Sequence, residues 1–480
     1  MEFKDIFYTK GGTIGCLKEY KAHLDTGSHK PIKKNYYEQS AKHMADLKEV
    51  ITDLDQKQIT VRNTGSWGST AFIVYGHGQP RMVCDFRELN ELLADHPCPL
   101  PQIKGLFMEF ADSQFWCTLD MAQGYYQIEL DESSQKCTGI VFKFGTRMFT
   151  RLPMRVRSGP GIFMEAAYKI TENIPHTVDG VRRVFAYLDD IACCGHDFEE
   201  VMHYLRFLFE QLRESGFKLS PEKVKLFYSE IKFLGHLIGR GGIRIDPALV
   251  EAIRNFNDPD SEAKMRSFIG FVQQVAGFVP GCATVINPLT QTLKKANKRS
   301  EGKIILTEEH RAAIHQIIEV ITKDGGPVLA IYVRHANFEI RVDASNYAIG
   351  AVIYQITTGS KSRKLLAVFS RKLKDYELHC TTTEKEAMAI TAAFQQFRVY
   401  VYGIPGMITV FTDHCGLCWL ATCKDLNSKL CRWSIVLSQF KRSSMCGAAT
   451  TQMRTICHGM FMIRWKSNPG TSLLLFGRQR

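Results

Sequence analysis

Apolar residues recur at helical spacing in three stretches of the chain. Residues 40–54 put Met44, Leu47, Val50, Ile51 and Leu54 on one face, and residues 199–216 do the same with Val201, Leu205, Leu208, Phe209 and Leu212. Residues 261–277 turn Met265, Phe268, Ile269, Val272 and Val275 inward and Lys264 and Arg266 outward. A fourth helix is predicted over 307–322. Strand-like runs alternate with these helices. Residues 70–74 and 81–86 flank a Gly-rich turn at 76–80, and residues 115–120 form an apolar strand ending in a carboxylate. Residues 184–194 read as two short strands joined at Leu188-Asp189-Asp190. A basic, weakly apolar stretch at 291–303 reads as a linker, and Gly325-Gly326-Pro327 breaks the chain again. Strands are then predicted over 338–343, 348–354, 367–370 and 407–413, with a helix starting near Thr383, a mixed α/β order.

The chain has 480 residues, 45% of them apolar, enough to build the cores of several domains. Its net charge of +12 suggests a polyanionic partner, with nucleic acid the first candidate. No run approaches the roughly 18 apolar residues of a membrane span, and the first residues lack a basic-then-apolar signal pattern, so no membrane partner and an intracellular location are expected. Fifteen Cys without framework spacing then read as reduced thiols. Cys415-x-x-Cys418 is a weak zinc signal without a second pair.

The candidate chemistry lies in carboxylates at strand ends. Asp189 and Asp190 are adjacent in a turn, where neighbouring negative charges in a partly dry site repel. A divalent cation relieves that repulsion, and Asp120 at the end of the earlier strand is the natural third oxygen ligand for Mg²⁺. Asp25-Thr26-Gly27-Ser28 spells an aspartic-protease signature, but Lys-Ala-His is a poor inner strand to lead into it, so no catalytic role is assigned.

Tyr187-Leu188-Asp189-Asp190, preceded by Leu119-Asp120 and followed by Phe233-Leu234-Gly235-His236, resembles the polymerase core of a reverse transcriptase of the Ty3/Gypsy class of long-terminal-repeat retrotransposons. The resemblance runs over roughly residues 20–440 in the family's motif order. It implies an α+β multidomain chain: a right-hand polymerase with fingers, palm and thumb, followed by an RNase H-like α/β domain. The expected divisions are an extension at 1–60, fingers and palm at 61–245, thumb and basic linker at 246–300, a connection at 301–335, the RNase H-like domain at 336–440 and an aberrant tail at 441–480. The implied activity is primer extension on RNA or DNA, with two Mg²⁺, or Mn²⁺ in their place, held by Asp120, Asp189 and Asp190. The implied partners are an RNA template, a DNA primer, an RNA–DNA hybrid and dNTPs, in a cytoplasmic element particle or the nucleus.

The same resemblance gives Arg81 the triphosphate grip, although Val74, Tyr75 and Gly76 stand where the family commonly has a Lys. It makes Tyr125 the steric gate against a ribose 2′-hydroxyl, and Phe233, Leu234, Gly235 and His236 the primer grip. Arg87 is expected to pair with a carboxylate. Arg155 replaces a common Gly, and two readings stay open: a pocket that loses the left-handed backbone glycine permits, or a side chain that points harmlessly outward.

Asp343, Glu386 and Asp413 follow the order of the RNase H carboxylates, which would converge on two cations. Thr383 and Glu386 also spell a capping box, so Glu386 has a structural alternative. The family's fourth carboxylate is missing, because Asp425 is the last acidic residue, and the tail shows no clear helix or strand period. Regrouping degenerate codons of residues 441–459 from each third base permits an Ala-Asp-x-Leu-Ser-Arg segment. A shifted reading frame from about Lys441, and a defective ribonuclease H, are therefore expected. The alternative for the whole chain is an inactive relic that binds nucleic acid through backbone charge.

Overall fold

The computed structural model describes residues 2–76, 78–178, 180–296, 304–357, 362–404, 408–412, 432–433, 435, 451–456, 460–468 and 471–476, the last three as backbone only. The chain forms two compact units, Met1–Glu109 with Ser113–Ile231, and Phe110–Asp112 with Lys232–Arg480.

In the first unit a five-stranded sheet runs in the order Thr60–Arg62, Gly145–Phe149, Ile140–Phe142, Ser69–Gly76, Gln79–Asp85. Gly76 pairs with Gln79, so the hairpin turn is tighter than the sequence suggested. The helix Ala41–Gln56 is capped by the Ser40 side chain and buries Leu47, Ile51 and Leu54, the inward positions of its predicted stripe. A second sheet runs Lys225–Tyr228, Phe115–Asp120, Asp190–Gly195, Val184–Tyr187. Helices Phe198–Ser215 and Gly159–Thr171 share its core: Val201, Leu205, Leu208 and Leu212 of the first, and Ile162, Phe163 and Ile170 of the second, are all buried. Each such side chain contributes about 1.5–3 kcal/mol by leaving water. Asp25 to Ser28 is an exposed turn in which Asp25 accepts the Gly27 N–H at 2.8 Å.

In the second unit the strands His236–Gly239, Gly242–Ile245 and Val328–Leu329 pair in sequence. Helix Glu262–Val275, capped by Ser261, buries all five predicted apolar residues. Lys264 and Arg266 do face outward, but each is ion-paired, to Asp260 at 2.7 Å and Glu262 at 2.5 Å. The expected linker is partly helical, since Asn287–Ala296 runs into it; residues 297–303 lie outside the described residues. A seven-stranded sheet follows, in the order Arg363–Lys372, Ala348–Ile356, Asn337–Ala344, Ile408–Thr412, Thr471–Phe476, Met460–Asn468, Thr451–Ile456. Helix Thr382–Gln396 carries a buried run that includes Ala389, Ile390, Ala393 and Phe394.

The tail corrects one expectation. Residues 451–456, 460–468 and 471–476 form strands although no strand period was legible there, because Ile408–Thr412 offers an edge that pairs antiparallel with Met460–Asn468 and parallel with Thr471–Phe476. Pairing with an existing edge satisfies backbone groups whatever the side-chain pattern. Among the described residues Cys84, Cys117, Cys137, Cys193, Cys194 and Cys282 are free and buried; the Cys415 and Cys418 pair lies outside them.

Candidate active site

Strand ends bring the three candidate carboxylates, Asp120, Asp189 and Asp190, together. Tyr187 pairs with Asp190, which leaves Leu188 and Asp189 as a two-residue loop. Leu188 takes φ +51°, the left-handed conformation such loops require, and its N–H donates to Met164 Sδ at 3.1 Å. Asp189 therefore occupies the tip, while Asp190 opens the returning strand directly opposite Asp120. The Asp189 carbonyl accepts the Met121 N–H at 3.1 Å, which ties the tip to the residue after Asp120.

Electrostatics follow from that crowding. Burial, then the charges of Asp120 and Asp190, push the Asp189 carboxyl up to about 6. Asp190 is exposed at the residue level, yet desolvation and the Asp120 charge raise its pKa too. Lys223 Nζ donates to both oxygens of Asp120 at 3.0 Å, a cation already drawn to the carboxylates. Asp189 Oδ1 is buried with no hydrogen-bond partner. Among the described residues no three His, Cys, Asp or Glu side chains form a ready ion cage. The orphaned oxygen and the ammonium on Asp120 nonetheless fit a divalent cation, which would satisfy the first and displace the second.

Tyr125 stacks on Phe163 with ring centroids 5.0 Å apart, and burial together with the Asp189 charge pushes its hydroxyl up to about 12. Gly124 supports the same corner. A Cβ there would lie 2.8 Å from the Phe163 ring and 3.1 Å from Asp189 Oδ1, so only glycine fits without displacement. Lys223, Gly124 and Met164 were not singled out from sequence. Gly124 alone had a signal, its place one residue before Tyr125, the expected gate.

Arg81 is exposed on Gln79–Asp85, opposite Val74, with its guanidinium carbon 3.8 Å from where a Gly76 Cβ would stand. Arg87 forms the expected ion pair, bidentate to Asp85 at 2.8 and 2.7 Å. Arg155 takes φ +71°, with its side chain exposed and its carbonyl accepting from Asn90 at 2.9 Å. The expectation that arginine could not supply glycine's conformation is therefore corrected: it does so, at a strain of about 1–2 kcal/mol.

In the second unit Phe233 is buried, and Leu234 at φ +49° and Gly235 at φ +75° make the turn before His236. His236 Nδ1 donates to the Leu234 carbonyl at 2.8 Å, its ring stacks on Phe278 at 5.6 Å, and burial lowers its pKa. Further along, Asp343 is exposed on Asn337–Ala344. Glu386 is buried on helix Thr382–Gln396 and accepts from Thr412 Oγ1 at 3.3 Å. The capping box is Thr381 with Glu384, not Thr383 with Glu386, so capping does not explain Glu386. Asp413 lies outside the described residues. An unanticipated buried Glu339 holds Arg341 at 2.7 Å and Arg363 at 2.8 Å.

Residues 70–238 match the family model of reverse transcriptase (RNA-dependent DNA polymerase), and residues 334–440 match that of the RNase H-like domain found in reverse transcriptase. The fold agrees. The foamy viral protease-reverse transcriptase in complex with dsDNA superposes with TM-score 0.75 at 21% identity, over 91% of this chain and 89% of that one. The same protein in complex with RNA/DNA hybrid gives 0.73 at 21%, over 90% and 57%. The chain carries a reverse transcriptase domain followed by an RNase H-like domain, with the α+β fold of a right-hand polymerase.

Among its relatives, the retrovirus-related Pol polyprotein from transposon 297 of Drosophila melanogaster is 28% identical over 92% of this chain and 40% of its own length. That from transposon gypsy is 28% identical over 78% and 36%, and the transposon Tf2-3 polyprotein of Schizosaccharomyces pombe 24% over 77% and 27%. These relatives are consistent with a Ty3/Gypsy retrotransposon polyprotein, as the motifs implied. The chain spans 27–40% of the length of these three relatives.

Proposed function

We propose that the chain is an RNA-directed DNA polymerase that extends a DNA primer with dNTPs on an RNA or DNA template. The observation that carries this reading is Asp190 opposite Asp120 with the orphaned Asp189 oxygen beside them. Bound Mg²⁺, or Mn²⁺ in its place, would activate the primer 3′-hydroxyl and stabilise the leaving pyrophosphate. The chain's own share is positioning. Asp120, Asp189 and Asp190 supply the ligand oxygens, and the two whose pKa values are raised ionise fully as a cation arrives. Tyr125, braced by Phe163, blocks the space of a ribose 2′-hydroxyl. Arg81 meets the triphosphate, and the turn from Phe233 to His236 holds the primer end.

Fingers and palm are assigned to 61–245, the thumb to 246–300 and the RNase H-like domain to 336–440. A net charge of +12 supports nucleic-acid partners, as do the nucleic-acid complexes of the structural neighbours. An element particle or the nucleus is the proposed location. Asp343, Glu386 and Asp413 form the second candidate metal set. The tail supplies no fourth carboxylate, so hybrid cleavage is proposed to be weak or absent, and the frame shift from about Lys441 is its proposed origin. Mg²⁺-dependent primer extension on a homopolymer template tests the polymerase reading against the inert relic.

A further inference from the structure

We propose that residues 35–46 brace the hairpin of Ser69–Gly76 and Gln79–Asp85, and that Tyr75 is the latch that fixes where Arg81 is presented. The inference rests on the polymerase reading and names a positioning residue for it.

Strand Ser69–Gly76 pairs with Ile140–Phe142 only at Ser69 and Thr70. Beyond that point a strap takes over its outer edge. Thr70 Oγ1 donates to the Asn35 carbonyl at 2.9 Å, the Tyr37 ring meets Phe72 edge-on at 5.9 Å, and the Ile73 N–H donates to Gln39 Oε1 at 3.0 Å. The strap then becomes helix Ala41–Gln56, whose first turns touch one side of Tyr75, itself 41% exposed. Lys42 Nζ lies 5.4 Å from the centre of the Tyr75 ring, and the His43 ring lies 5.2 Å from it. The Tyr75 hydroxyl donates to Asp46. Lys42, His43 and Asp46 lie at relative positions 0, 1 and 4, one side of the helix. The contacts follow the strand from its base towards its tip.

A two-stranded ribbon is marginal alone, so its tip stays in place only where something holds it. Tyr75 pairs with Pro80 and Val74 with Arg81, which puts the latch next to the arginine in the ladder. The bond to Asp46 also raises the Tyr75 pKa, keeping the hydroxyl a donor. Tyr75 stands in the stretch where the resemblance led us to expect a lysine, and here it supplies anchorage instead of charge.

The test compares Tyr75→Phe, Asp46→Ala, Asp46→Asn and the double variant Tyr75→Phe with Asp46→Ala. Tyr75→Phe keeps the ring contacts and loses the bond, worth a factor of about three or more. Hydrogen exchange over residues 72–82 should quicken by that factor, and the nucleotide KM should rise similarly, with kcat and primer–template Kd unchanged. Asp46→Ala should match it, Asp46→Asn should keep the acceptor and stay near wild type, and the double variant should be no worse than either single. Unchanged exchange in Tyr75→Phe, additive effects in the double variant, or faster exchange with an unchanged KM would each overturn the proposal. An inert wild-type chain would count against the polymerase reading, while the exchange comparison would still decide the latch.

Discussion

Asp189→Asn should stabilise the cation-free protein while abolishing nucleotide incorporation. With its carboxyl held near 6 against an ordinary 3.8, ionising it at neutral pH costs the folded state about 3 kcal/mol. Solvent at the turn screens part of this, leaving roughly 1–2 kcal/mol. The sign follows from proton linkage. Below about pH 3 the group is protonated folded and unfolded, and the penalty is absent. Between the ordinary 3.8 and about 6 the folded protein keeps a proton that the unfolded chain has already lost, so stability falls across that window and levels off above it. Asparagine never ionises, so in EDTA at pH 7.5 the variant should melt roughly 3–6 °C above wild type, and the difference should vanish below about pH 3. Mg²⁺ should raise the melting temperature of wild type more than that of the variant. A variant less stable than wild type at pH 7.5, or a gap independent of pH, would refute the assignment of mutual repulsion at this site.

Arg155→Gly should leave nucleotide KM within about twofold, since the backbone is already left-handed, whereas the β-branched Arg155→Val should cost about 1–2 kcal/mol in a melting assay. Gly124→Ala should lower incorporation at least tenfold and depress the melting temperature, because its Cβ would push on Phe163 and towards Asp189; steady-state extension and calorimetry check both. Unmodified chain should cleave the RNA of an RNA–DNA hybrid poorly, and restoring the shifted frame from Lys441 should raise cleavage and melting temperature together; robust Mg²⁺-dependent cleavage by the unmodified chain would contradict this.

What was legible in the sequence depended on periodicity and on chain-order motifs. The stripes of helices Ala41–Gln56 and Glu262–Val275 named the buried residues because solvent lies on one side only. The strand ending at Asp120 was readable as a short apolar run, buried on both faces at Trp116 and Cys117, and its partnership with Asp190 was expected from charge before the register placed the two opposite each other. Lys223 could not be found, since a lysine in Pro221–Lys223 looks like any surface charge until the fold brings Asp120 within 3.0 Å. Local spelling offered a cap as the alternative at Glu386, but Thr381 and Glu384 form it two residues earlier. The tail strands were invisible because their pairing comes from an edge elsewhere in the chain, not from their own alternation.

The carboxylate cluster is proposed to carry polymerase activity. Primer extension on a homopolymer template with Mg²⁺, comparing wild type with Asp190→Asn alongside duplex-binding affinity, decides this. Wild type should incorporate nucleotide and the variant none, with duplex affinity within a few fold, because the proposed role of the carboxylate is to bind cation and not template. Incorporation retained by Asp190→Asn, or none by wild type under the same conditions, would contradict it.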